Sequence, residues 1–248
     1  MKKSILLFVI TLCVCACSIN IKMPSGSRIY TTTPESTKTI TGNGGVFEEI
    51  ITDVPGKIIV SQGDKYSYSI TASTHNFENI KLSMGGKDKK LEVSRKNKQF
   101  EFDDTEIIIQ ITTTGSVKSV KNRGMGAVDI YSPVREKRFD LYCFDEGEIN
   151  AYDIEADEVG VFSGGSHKLE GRTDRLILQI GGKGIADLTY LSSNWAKINM
   201  TGKVTAYVSV KDTAIGEMAE TSKLYYYQVP ENLNIVQTEQ GPVVRENN

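Results

Sequence analysis

The chain has 248 residues, of which 39% are hydrophobic and 24% are charged, and its formal net charge is −2. This weakly acidic balance gives no general reason to expect a nucleic-acid partner. About 200 residues follow the N-terminal segment, which is enough for one domain with a sizeable core.

The first 17 residues have the order of an export signal. Two lysines precede an apolar run over residues 5–14, which is far shorter than the ~20 residues of a membrane-spanning helix. The run ends in the sequence VCAC, which resembles the lipobox of bacterial lipoproteins. In a lipobox the last cysteine is lipidated and becomes the mature N-terminus. We therefore predict a signal peptide over residues 1–17 and a lipid on Cys17; an ordinary secretory signal is the alternative.

Processing at this site changes the cysteine inventory. Loss of the two lysines lowers the net charge to −4, and only Cys17 and Cys143 remain. If Cys17 carries lipid, Cys143 has no partner for an internal disulfide. We expect the fold to depend on its core, with Cys143 as a small buried side chain.

Residues 18–45 are rich in Ser, Thr, Gly and Pro and show no sustained apolar period. Such a segment buries too little surface to fold alone, so it is predicted to be a flexible tether. A single domain over 46–244 follows, with a less regular part over 46–115 and glycine-punctuated coils over 116–244.

From Val46 onward, apolar and polar residues alternate in short runs bounded by Gly, Asn and Asp. Examples are Ile107, Ile109 and Ile111. This alternation is typical of half-buried β-strands. No segment after the signal has the apolar spacing of a helix, so the sequence predicts an all-β domain.

Glycine-containing turns recur through the second half of the chain. They begin at residues 124, 145, 164, 181 and 201, so successive turns are 21, 19, 17 and 20 residues apart. A period of this size is typical of stacked repeats. The predicted architecture is a single-stranded parallel β-helix, or β-solenoid, with glycines at its corners. A β-sandwich would also contain short strands, but it does not account for the regular spacing.

Several segments together resemble the head GIN domain family of bacterial envelope proteins, described as auto-transporter adhesins. They include VPGKIIVSQGDKYSYSITAS, EIIIQITTTGSVKSVKNRGMGAVDI and LYYYQVPENLNIVQTEQGPVV. The resemblance covers residues 46–244 and implies a right-handed parallel β-helix on a lipoprotein. The Ser-Gly-x-Gly turns of the family are eroded here to FDEGEI and VKDTAIGEM. The family has no established catalytic residues to transfer.

No metal or cofactor site is predicted. The turn GGKGIAD at residue 181 approaches a calcium-binding repeat, but its aspartate arrives one residue late and would point to the opposite face. His75 and His167 have no cysteine or histidine neighbour at zinc-ligand spacing, so we expect both to be solvated turn residues.

Enzymatic activity is the less favoured interpretation. Extracellular β-helices include polysaccharide-processing enzymes, which need clustered carboxylates. Asp140, Asp153, Asp157 and Glu170 are spaced so that they could converge from neighbouring coils. Acidic residues are also the ordinary exterior of an acidic solenoid, and we expect that role.

Two surface patterns remain as binding candidates. Lysines and arginines between Lys87 and Lys98 surround one strand, where we expect them to guard an open strand edge more than to bind anions. Trp195, Tyr207 and Tyr226 are the candidate ligand-binding residues, because outward aromatic rings can stack on sugars. The alternative is that they cover corners and cap the end of the solenoid.

The sequence thus predicts a non-catalytic lipoprotein of the bacterial envelope, lipid-anchored in the outer membrane. It is expected to act as an adhesin or binding module for a glycan or protein. An envelope scaffold or assembly protein, and then a polysaccharide-processing enzyme, are the alternatives.

Overall fold

The computed structural model describes residues 37–144, 146–238 and 243–244, and it is all-β, with 66% strand and 3% helix. The predicted lipidation site, Cys17, and the signal peptide lie outside the described residues. The described part forms the helix α1 (Thr74–Asn79) and the strands β1 (Thr37–Asn43), β2 (Glu49–Thr52), β3 (Lys57–Gln62), β4 (Ser67–Ser73), β5 (Ile80–Gly85), β6 (Lys90–Arg95), β7 (Ile108–Thr113), β8 (Ser119–Asn122), β9 (Ala127–Ile130), β10 (Val134–Cys143), β11 (Glu148–Ser163), β12 (Ser166–Ile180), β13 (Ile185–Met200), β14 (Thr205–Met218), β15 (Lys223–Gln228), β16 (Asn232–Gln237) and β17 (Val243–Val244).

The strands wind into a β-solenoid of about 6 turns, as predicted. Parallel pairing between coils is in register: Phe139 pairs with Val159, Val159 with Leu176, and Leu176 with Ala196. These partners are separated along the chain by the period of the glycine turns. The right-handed sense of the coil stays a prediction.

Each regular coil has three sides, which we call faces A, B and C. Face A consists of β2, β6, β8, β16 and the C-terminal parts of β10 to β14. Face B consists of β3, β7, β9, β15, β17 and the N-terminal parts of β11 to β14. Face C consists of the start of β10 and the middle parts of β11 to β14.

The alternation of apolar residues places one side of every strand in the interior. Leu176, Leu178 and Ile180 of β12 are buried, while the residues between them point outward. Cys143 is also buried, as the sequence predicts. The interior is therefore a continuous apolar column that runs the length of the solenoid.

Glycines form a ladder at the corner between faces A and B. The amide of Ser166 donates to the carbonyl oxygen of Gly147 at 2.9 Å, so the backbones of adjacent coils lie in direct contact here. A Cβ atom on Gly165 would lie 2.3 Å from that same carbonyl oxygen. Only glycine fits such an approach, which explains the periodic glycine turns.

The N-terminal part departs from a plain parallel coil. In space, β2 lies between β6 and β8, and β3 lies between β7 and β9, so the first coil of the sequence is inserted between two later ones. Antiparallel pairs β1–β4, β4–β7 and β5–β6 cover this region. Local sequence patterns give no information on this order, because it depends on pairing between distant segments.

Two sequence-based expectations need correction here. The predicted tether, 18–45, is too long at its C-terminal end, because residues 37–43 form β1 and pair along their whole length with β4. The pattern Thr39-Ile40-Thr41 turns Ile40 toward the core. The basic segment 87–98 does not guard an open edge either, because β6 pairs with β2 on one side and β5 on the other.

Candidate functional site

The three aromatic residues predicted to bind ligand do not form one site. Trp195 is half-buried on face A, where the guanidinium of Arg175 lies over its ring at 5.0 Å. Tyr207 is half-buried on face B and stacks on Tyr225, with ring centroids 5.0 Å apart. Both point outward, as their strand parity predicts.

Tyr226 was predicted to be a ligand-binding residue, and its burial contradicts that role. Only 2% of the residue is exposed, because alternation along β15 turns Tyr225 and Tyr227 outward and Tyr226 inward. Burial raises the pKa of its phenol, and its hydroxyl has no hydrogen-bond partner in the described part of the chain. Tyr226 therefore packs inside one of the last coils of the solenoid.

The two histidines differ from each other. His75 is exposed on α1, and its ring lies 4.7 Å from that of Phe100. His167, expected to be a solvated turn residue, is instead 3% exposed, because it has the inward parity of Leu169 on β12. Burial lowers its pKa to about 4, against a small opposing effect of the Ile149 backbone. The imidazole is therefore neutral at physiological pH.

A groove of about 480 Å³ lies on face A beside the corner with face B. This volume is within the range of about 300–1,000 Å³ that is typical of small-ligand sites. Its walls combine outward side chains of face A with corner backbone: Tyr142, Phe144, Phe162, Ser163, Gly164, Gln179, Gly181, Asn199, Thr201 and Glu217.

One row of outward side chains forms the length of the groove. In-register pairing aligns Tyr142 with Phe162, and then, in successive coils, Gln179, Asn199 and Glu217. Adjacent strands are about 4.8 Å apart, so these side chains form a ladder along the solenoid axis. The ladder is aromatic at one end, carries amides in the middle, and ends in a carboxylate.

The aromatic end of the groove is held in place by stacking. The rings of Tyr142 and Phe162 are 5.1 Å apart with an angle of 14° between their planes. Lys121 lies over the Tyr142 ring at 5.7 Å and also pairs with Glu49. Since Tyr142 belongs to the preceding coil, it covers one face of the Phe162 ring, and the opposite face is directed toward the amides.

The carboxylates considered for catalysis are not gathered in this groove. Asp140 pairs with Arg138 at 2.8 Å, Asp153 with Arg135 at 2.8 Å, and Glu170 with Lys168 at 3.1 Å. Asp157 lies in a separate polar depression with Asp174 and Arg172. Three of the four acids thus neutralise neighbouring bases, as expected of the exterior of a solenoid.

Sequence reasoning missed the groove, although a signal was present. Tyr142, Phe162, Gln179, Asn199 and Glu217 all lie one residue before an inward position of face A, such as Cys143 or Ile180. Aligning the chain by its glycine-turn period would have placed them in one outward column. Within the residues that the structure describes, no cluster of three potential metal ligands and no helix long and apolar enough to cross a membrane occurs.

The fold and the sequence together define the family. The family described as "Putative auto-transporter adhesin, head GIN domain" matches residues 46–230, so the chain belongs to it. This agrees with the family resemblance of its sequence and places the chain among surface or envelope proteins. None of the curated proteins matches the chain.

Solved structures share the fold at low sequence identity. A putative adhesin from Bacteroides fragilis has a TM-score of 0.77 and 18% identity, with 86% of this chain and 98% of that chain covered. A putative lipid binding protein from Parabacteroides distasonis has a TM-score of 0.64 and 16% identity, with the same coverage. A putative adhesin from the same species has a TM-score of 0.62 and 14% identity, again with the same coverage. At these identities the likeness shows the fold alone.

Proposed function

We propose that this chain is a non-catalytic, lipid-anchored binding module of the bacterial envelope, and that it binds a glycan in the groove on face A. The observation that carries the proposal is the Phe162 ring, which is fixed by Tyr142 on one side and faces the amides of Gln179 and Asn199 on the other.

This arrangement suits a sugar for two reasons. The apolar face of a pyranose stacks on an aromatic ring, and a ring already held by its neighbour loses little freedom on binding. Each side-chain amide offers both donors and acceptors, which match the hydroxyl groups around the sugar. The adhesin family and the extended solenoid surface support the same class of function.

The binding test is a screen of purified protein against immobilised polysaccharides, matrix proteins and lipid vesicles. We expect saturable retention on at least one polysaccharide, lost in Phe162→Ala. Tyr131→Ala is the matched control, because Tyr131 stacks on Tyr152 at 4.9 Å on face B, outside the groove. Retention that is equal in both variants, or confined to vesicles or proteins, contradicts a glycan site in the groove.

The anchoring test uses the two cysteines of the VCAC sequence. Cys17→Ala should abolish acylation and release the protein from the membrane fraction, whereas Cys15→Ala should leave both unchanged. Added protease should then cleave the wild-type domain on intact cells if it is displayed on the outer surface. Membrane retention of Cys17→Ala, or protection of the domain until cells are lysed, argues instead for a scaffold inside the envelope.

A further inference from the structure

The groove also contains information on the charge of its ligand, an inference that depends on the proposed glycan-binding function. Among the described residues that line it, Glu217 is the charged side chain, and there is no Lys, Arg or His. Lys197 is also on face A, but it lies two residues before Asn199 on β13 and outside the groove walls.

Glu217 is available for a ligand. The residue is exposed, and it has no hydrogen bond or ion pair with any residue in the described part of the chain. Most other acids near face A already have basic partners, as Asp140 and Glu158 do with Arg138. An unpaired carboxylate at a groove wall attracts a cationic group and repels an anionic one.

The length of the ladder relates the carboxylate to the aromatic wall. Phe162, Gln179, Asn199 and Glu217 belong to four successive coils. Three coil steps of about 4.8 Å give a length of roughly 14 Å from Phe162 to Glu217. This exceeds one pyranose ring, and the coil spacing is close to the length of one unit in an extended glycan.

We propose that the groove takes a linear amino-sugar oligosaccharide that lies parallel to the solenoid axis. One ring stacks on the free face of Phe162, and its neighbours form hydrogen bonds with the amides of Gln179 and Asn199. A free ammonium group on the ligand pairs with Glu217. An oligosaccharide of uronic acids is excluded by the same carboxylate.

The test measures the affinity of the full mature protein for three soluble oligosaccharides of equal length. They are a β-1,4-linked glucosamine oligomer, its N-acetylated counterpart and a uronic acid oligomer. The variants are Phe162→Ala and Glu217→Gln, with Tyr131→Ala and Glu231→Gln as matched controls on exposed residues outside the groove. Thermal melting verifies that each variant is folded.

We expect the glucosamine oligomer to bind best and the uronic acid oligomer worst. Glu217→Gln should weaken binding of the glucosamine oligomer about fivefold, and leave the N-acetylated oligomer unchanged, as for an exposed ion pair. Phe162→Ala should weaken both by about tenfold, since it removes the stacking surface. The effect of Glu217→Gln should decrease at high salt.

The outcomes separate this inference from the proposed function. Equal binding of the amine and N-acetylated oligomers, still lost in Phe162→Ala, overturns the amino-sugar assignment and leaves the glycan groove in place. Tighter binding of the uronic acid oligomer overturns it too. If no oligosaccharide binds, or if Phe162→Ala has no effect, both the inference and the glycan groove are wrong.

Discussion

Phe162 lies one coil after Tyr142 and stacks on it, with ring planes only 14° apart. In-register pairing of β10 with β11 brings these two residues together, although they are distant in the sequence. The solenoid thus converts a sequence period into a row of side chains on one face. The groove follows from that row, and each of its walls can be changed without altering the apolar interior.

The corner glycines give the first prediction, which concerns stability. Gly184→Ala should lower the free energy of unfolding by about 2–4 kcal/mol, because the added Cβ would lie against the carbonyl oxygen of Gly165. Gly181→Ala is the matched control, since the nearest atom to its Cβ is 3.5 Å away. Chemical denaturation of both variants measures the difference; equal stability would contradict the close stacking of the corners.

His167 predicts a pH dependence of stability. Its pKa is lowered to about 4 in the folded protein from the ordinary 6.5, so the unfolded chain binds its proton first as the pH falls. Stability should be fully present above pH ~6.5 and decline toward pH ~4, with a loss of about 2 kcal/mol by pH 5.

The control for this effect is the other histidine. His167→Leu should remove this part of the pH dependence, because Leu has no proton to bind and suits the apolar interior. His75→Asn should retain it, since His75 is exposed. Unfolding curves at pH 7.5 and pH 5 make the comparison, and an unchanged pH dependence in His167→Leu would show that the imidazole is not the cause.

Tyr226 gives a prediction about its buried hydroxyl. The side chain is buried and its oxygen has no hydrogen-bond partner among the described residues. Tyr226→Phe should therefore keep or raise the melting temperature, because it removes an unsatisfied polar atom and leaves the ring in place. Tyr226→Ala should lower stability by about 3–5 kcal/mol through loss of the ring. A marked loss in Tyr226→Phe would reveal a hydrogen bond at this hydroxyl.

β1 leads to a prediction about the segment assigned to the tether. Ile40→Asp should destabilise the domain, because Ile40 packs against the core where β1 pairs with β4. Thr39→Ser, at a neighbouring position whose hydroxyl contacts that of Thr71 at 3.0 Å, should have little effect. If Ile40→Asp melts at the wild-type temperature, β1 is dispensable and the tether extends to residue 45.

The sequence contains most of the fold and little of the site, for identifiable reasons. Alternation in segments such as Ile107–Ile111 and the glycine-turn period predict strands, interior and solenoid, because each depends on local parity and spacing. The insertion of β2 between β6 and β8 depends on distant pairing, which local patterns do not contain. His167 was misassigned because the two glycines before it suggested a turn, whereas β12 already begins at Ser166.

The site was missed for a related reason. Trp195, Tyr207 and Tyr226 were selected as aromatic residues one at a time, whereas the groove depends on which side chains align between coils. Phe162 and Gln179 become neighbours only once the coils are in register. A short coil between them, with 17 residues from Phe162 to Gln179, displaces the alignment from a fixed 20-residue period.

The central claim is that ligand binds in the face A groove, and hydrogen exchange of the mature protein tests it most directly. Exchange is compared with and without a saturating polysaccharide from the binding screen. The account predicts added protection at the groove corners, 162–164 and 179–181, and no change around Tyr131 and Tyr207 on face B. Protection confined to face B, or absent at both corners despite saturable binding, would contradict it.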